Sequence, residues 1–124
     1  MKKWILAAVL SVIALAACSS GGAGDPARTV ENYLQAKVSA DAEAIRSLLC
    51  SEMEADLERE SMTFAGLVDV RLEGMACVRD GDTNTVRCQG KIVATYGTEK
   101  TDFPLVAYRV VQEDGEWKWC GETQ

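Results

Sequence analysis

The chain has 124 residues, with 13 Lys and Arg against 19 Asp and Glu, a net charge of −6 at pH 7 and no histidine. So acidic a balance disfavours nucleic acid and anionic lipid headgroups, which are bound through basic patches. Without histidine, Ser-His-Asp and Cys-His catalytic sets are excluded, and the side chain best suited to proton transfer near neutral pH is missing.

Lys2 and Lys3 open the chain, and Trp4 to Ala14 is apolar apart from Ser11, with small residues at Ala16 and Ala17. This is the layout of a secretory signal peptide, too short to cross ~30 Å of hydrocarbon as a permanent helix. Leu15-Ala16-Ala17-Cys18 resembles the lipobox of bacterial lipoproteins: apolar, small, small, Cys, directly after the apolar run. The resemblance implies transfer of a diacylglyceryl group to the Cys18 thiol and cleavage before it. The mature chain would then sit lipid-anchored on the extracytoplasmic face of the cell membrane. One acyl chain binds only marginally, at ~0.8 kcal/mol per buried methylene, whereas two or three hold. Residues 1–17 are thus expected to be the signal peptide and 18–25 the lipidated Cys with a Ser/Gly-rich flexible tether. Residues 26–122 form one small domain. Cleavage removes 17 of 124 residues and two of the 13 basic ones, which leaves 107 residues carrying −8.

Asp25-Pro26 reads as an N-cap followed by Pro at the first helical position. Ala27, Val30, Leu34 and Val38 recur at helical spacing with Tyr33 beside them. Asp41 caps a second short helix with Ala44, Ile45, Leu48 and Leu49 inward. Ser51 and Glu54 form a capping-box pattern for a third. This last helix is expected to bury Met53 and Leu57 and to turn Glu52, Glu54, Asp56, Glu58 and Glu60 to solvent.

After Gly66 the period falls to two. Val68, Val70 and Leu72 alternate with charged residues, as in a half-buried strand, and Gly74 marks a bulge or bend. The cluster Asp80 to Asn84 is a turn. A return strand follows with Val86, Cys88, Ile92, Ala94 and Tyr96 on one face. Phe103 to Gln112 reads as a third long strand, Asp114-Gly115 as a two-residue hairpin turn, and Glu116 to Cys120 as a closing strand. The expected fold is α+β, with N-terminal helices packed on a curved antiparallel sheet of about four strands.

Apart from Cys18, the cysteines are Cys50, Cys77, Cys88 and Cys120. Four cysteines in an exported domain of this size point to two disulfides, for which sequence permits three connectivities. Folding the first hairpin about Asp82-Thr83 sets Cys77 opposite Cys88, which leaves Cys50–Cys120 to tie the helices to the last strand. One conflict accompanies this pairing. In an ideal Asp-Gly hairpin Cys120 shares a face with Arg109 and Lys118, and Trp117 and Trp119 share the other. A Cys-only zinc site is the competing reading, but no C-x-x-C knuckle occurs and no metal or other cofactor is expected.

The element order resembles the nuclear transport factor 2-like, or cystatin-like, cone. Local stretches resemble small bacterial lipoproteins with that domain: Val30 to Leu34, Asp41 to Ile45 and Val111 to Cys120. The resemblance implies a bent sheet wrapped around the helices. The same superfamily holds ketosteroid isomerase, scytalone dehydratase and SnoaL-type polyketide cyclases, which use a pocket between sheet and helices. The candidate pocket lining here is Tyr33, Tyr96, Tyr108, Trp117 and Trp119. Asp41 with a tyrosine is the one conceivable acid–base pair, and Asp41 is more simply a cap. In so short a domain, Met53, Phe64, Phe103 and the tryptophans are expected to fill the interior. The expectation is a membrane-anchored, non-catalytic binding or interaction module whose partner is an envelope protein or a small molecule. The alternatives are a small-molecule-binding or isomerase/dehydratase-like enzyme using the cone pocket, and a structural accessory subunit of an envelope complex. An internal cavity of ~300 Å³ or more with convergent polar groups would favour the first alternative, and an exposed apolar patch on the convex outer sheet face the second.

Overall fold

In the computed structural model, residues 24–123 are described. The expected signal peptide, Cys18 and most of the expected tether lie outside them. The domain is α+β, with three α-helices followed by five antiparallel strands. Helix α1 spans Pro26–Val38, and the Asp25 carboxylate accepts the Ala27 N–H at 2.9 Å. Helix α2, Ala42–Leu48, is capped by Asp41, whose carboxylate accepts the Ala44 N–H at 3.2 Å.

The Ser51–Glu54 capping box does not form. Ser51–Asp56 is a 3-10 helix without a side-chain cap of its own, and α3 is Leu57–Met62. Glu113, on a distant strand, supplies the missing acceptor. Its carboxylate takes the Ser51 N–H at 3.0 Å and the Ser51 hydroxyl at 2.8 Å. Three-residue spacing cannot distinguish a local acceptor from one that the fold delivers.

Strands β1 (Val68–Arg79) and β2 (Thr85–Tyr96) form the long first hairpin, with Cys77 opposite Cys88. Bulges interrupt β1 at Asp69-Val70 and Gly74-Met75, where each dipeptide faces one residue of β2. The Gly74 bulge is as expected from sequence. The bulge at Asp69 (φ 52°) is an addition, and it turns Val68 outward instead of inward. Opposite Gly74 sits Gly90, at φ +98°, where a Cβ would lie 2.5 Å from the Glu73 carbonyl oxygen. Only glycine fits there.

The long strand expected from Phe103 to Gln112 is broken at Leu105-Val106. It becomes β3 (Glu99–Pro104) and β4 (Ala107–Glu113), both on the same side of β2. Between the Arg87–Ala107 and Lys91–Pro104 pairs β2 runs through three residues and its neighbour through two, so the Gly90 bulge breaks the ladder. Hence the sheet has five strands where four were expected. Asp114 (φ 52°) and Gly115 (φ 78°) both adopt the left-handed conformation that the tight β4–β5 turn demands, and β5 is Glu116–Glu122.

Helix α1 lies across the sheet and buries Val30, Tyr33 and Leu34 against Val86, Ile92, Tyr108, Val110 and Trp119. The conflict at β5 resolves at the sheet edge. Leu49 forms a parallel bridge to Trp119, and the Cys50 N–H donates to the Trp119 carbonyl at 2.9 Å. The Leu49-Cys50 segment thus runs beside β5, and Cys120 meets Cys50 there, at the start of the 3-10 helix. Both disulfides, Cys50–Cys120 and Cys77–Cys88, are present as expected.

Candidate functional site

Between α1, α3 and the ends of β2, β3 and β5 lies a cleft of about 420 Å³. Of the bulky side chains expected to fill the interior, Phe64 and Trp119 are buried in the core and Met53 and Trp117 pack against it, whereas Phe103 is exposed. Met53, Phe64, Phe103 and Trp119 line this space without closing it. Phe103 on β3, paired with Ile92 of β2, meets Phe64 and Tyr96 edge-on at ring-centroid distances of 5.8 and 6.4 Å.

Three of the five candidate lining residues are in the wall, namely Tyr96, Tyr108 and Trp119. Tyr33 is not. It is fully buried beneath the cleft, its ring stacked on Trp119. Trp117 is not either, and carries the Arg79 guanidinium 4.9 Å above its ring. Asp41 stays with its cap, in a shallow α1–α2 groove away from the tyrosines. The Asp/Tyr pair is not assembled.

The residue that sequence reasoning missed is Glu60. Expected on a solvated face, it is 6% exposed, and its Oε2 accepts from Lys37 Nζ at 2.8 Å. Lys37 comes from the last turn of α1, where a cation also suits the helix dipole. Its ammonium lies 5.9 Å from the centre of the Trp119 ring. A signal for Glu60 was present: Leu57, Glu60 and Phe64 recur at three- and four-residue spacing, so Glu60 falls on the inward stripe.

Burial, and then the Glu60 charge, push the Tyr33 hydroxyl far above its ordinary pKa. Glu60 is thus near, yet hydrogen-bond geometry is not met, and the hydroxyl has no partner. The buried Trp119 indole N–H also lacks one. Tyr108 accepts the Val106 N–H at 3.4 Å. Burial raises its pKa, the bond from Val106 opposes that, and the Glu122 charge adds to it. Neither tyrosine yields a proton near neutral pH.

Among the described residues, Cys50, Glu52 and Cys120 have donor atoms near enough together for a metal ion. Both sulfurs are consumed in the disulfide, and Glu52 pairs with Arg109. On the outer sheet face Ala76, Val78 and Val106 are exposed beside Arg87 and Gln89, with Val78 68% accessible. No helix of the described residues is long and apolar enough to cross a membrane. The sequence matches no protein-family model and no curated protein.

Proposed function

We propose that this protein is an exported lipoprotein, held to the extracytoplasmic face of the cell membrane through Cys18, whose domain is a non-catalytic module that binds a small molecule. The observation that carries the small-molecule reading is the cleft of about 420 Å³ with aromatic walls and a buried ion pair. Ligand sites have this size and make-up, mostly apolar with a few convergent polar groups. The location rests on the basic start, the short apolar run and Leu15-Ala16-Ala17-Cys18. Two disulfides suit an oxidising compartment. Helices followed by a bulged antiparallel sheet support membership in the nuclear transport factor 2-like, or cystatin-like, cone group.

Binding is favoured over catalysis because Glu60 already engages Lys37 and burial raises the pKa of Tyr108 in the same wall. The exposed Ala76, Val78 and Val106 support a second reading, in which an envelope protein docks on the outer sheet face.

A thermal-shift screen of the full chain against small amphipathic molecules tests the first reading. A ligand at a hundred times its Kd adds ~2.7 kcal/mol, which is several degrees for a domain of this size. Phe103→Ala, at the half-open wall, should abolish the shift. If no compound shifts the transition, the cleft reading falls and the outer-face partner takes its place.

A further inference from the structure

The protein already holds an ammonium group in this cleft. Lys37 Nζ sits 2.8 Å from Glu60 Oε2 and 5.9 Å from the Trp119 ring centre. We propose that the cleft's ligand carries an ammonium group on an apolar body, seated on Glu60 and the aromatic wall in competition with Lys37. The inference rests on the small-molecule reading and names the chemistry of that ligand.

The first support is the identity of the walls. Phe64, Tyr96 and Phe103 form one aromatic group and Tyr108 with Trp119 another. Ring faces attract cations, most strongly where water is excluded. A buried carboxylate beside them supplies a charge-assisted hydrogen bond. Lys37 shows that both contacts can be made at once.

The second support is the charge of the lining. Its cations are Lys37 and Arg59, and its anions are Glu60 and Glu122. Arg59 turns to Asp56, at 3.2 Å, and its side chain is largely exposed. Lys37 is committed to Glu60, so Glu122 is left without a cation in the wall. Lys37 bonds only one oxygen of Glu60, Oε2, and the Tyr33 hydroxyl lies near the same carboxylate without meeting hydrogen-bond geometry. The lining charges sum to zero, but an anionic ligand would meet Glu60 and Glu122 together, whereas an ammonium would find two carboxylates, of which Glu122 has no ion-pair partner among the described residues. At long range the net charge of −6 acts in the same direction, drawing cations toward the protein.

The third support is exchangeability. Lys37 is a point charge on a flexible four-carbon stem and its side chain is 19% exposed. It can swing to water when another ammonium takes its place, so Glu60 is never left buried without a partner.

Three probes with one apolar body test this: 2-phenylethylamine, 2-phenylethanol and phenylacetate. Their affinities for the full chain in phosphatidylcholine nanodiscs are read by calorimetry, with empty discs as the blank. The amine should bind about tenfold more tightly than the alcohol, and the acid most weakly. Lys37→Met should tighten the amine alone, and the amine should raise the Tm of that variant more than that of the wild type. Glu60→Gln should bring amine and alcohol together. Equal binding of amine and alcohol by the wild type, or preference for the acid, would overturn the inference and leave the small-molecule reading standing. Weaker amine binding by Lys37→Met would also overturn it, since Lys37 would then be part of the site. If none of the probes binds, the inference is overturned. Whether the broader reading fails with it is decided separately by the screen of amphipathic molecules. The wild-type series decides the matter even if either variant fails to fold.

Discussion

The Tyr33 ring lies flat on the Trp119 indole, with centroids 3.8 Å apart and planes within 9°. One ring belongs to the first helix and the other to the last strand, so this contact closes the domain across its whole length of chain. Both rings are buried, and each brings a polar atom without a hydrogen-bond partner, the Tyr33 hydroxyl and the Trp119 N–H. The stack therefore joins a large apolar gain to an unmet polar cost.

Tyr33→Phe separates the two. It keeps the ring and deletes an unpartnered hydroxyl, whose burial costs about 1–3 kcal/mol. The variant should be as stable as the wild type or more so. Trp119→Ala should lose about 3–5 kcal/mol. Urea unfolding followed by far-UV circular dichroism gives both values, and a destabilised Tyr33→Phe would show that the hydroxyl has a partner.

The Lys37–Glu60 pair should behave as a buried pair does. Removing one member strands the other, so Lys37→Met and Glu60→Leu should each cost about 2–4 kcal/mol. The double variant should recover most of that loss. Thermal unfolding of the three variants completes the cycle, and additive losses would show that the pair is not coupled.

Gly90 and Gly97 form an internal comparison. Both have positive φ, but a Cβ at Gly90 meets backbone within 2.6 Å whereas one at Gly97 meets open space. Gly97→Ala should cost about 1 kcal/mol, and Gly90→Ala roughly 2–4 kcal/mol because the β1 and β2 bulges must separate. Equal losses would mean that conformational strain alone matters at Gly90.

Glu113 gives the acid limb a defined contribution. The Ser51 N–H, and then the Ser51 hydroxyl, hold its carboxyl below the ordinary value of 4.5. A folded-state pKa below the unfolded one adds stability that is present above the unfolded value. That stability is lost as pH falls through the folded value. The window therefore lies at and below pH 4.5. Glu113→Gln should be less stable than the wild type at pH 7, with the difference shrinking through that window. Urea midpoints across the range measure it.

The two disulfides close loops of different length, with sequence separations of 11 and 70. Chain entropy assigns ~3 kcal/mol to Cys77–Cys88 and ~4 kcal/mol to Cys50–Cys120. Paired Cys→Ser variants should rank in that order. A reversed order would show that the Leu49-Cys50 segment stays on β5 through its backbone bonds alone.

The parts legible in the sequence are those fixed by neighbours along the chain. Asp25-Pro26 and Asp41 announce their helices because a cap acts within three residues. Asp114-Gly115 announces its turn because few residue pairs accept two left-handed conformations. Cys77 and Cys88 could be paired because hairpin register is counted outward from a turn. Tertiary structure decided what depends on distant chain. Glu113 crosses from β4 to cap Ser51, which no local pattern contains. The strand expected from Phe103 to Gln112 is broken at Leu105-Val106, opposite the Gly90 bulge of the facing strand. Glu60 read as one of five acidic residues on a wet face until α1 brought Lys37 against it. A charge becomes stable in the interior only when its partner arrives, and here that partner lies 23 residues away.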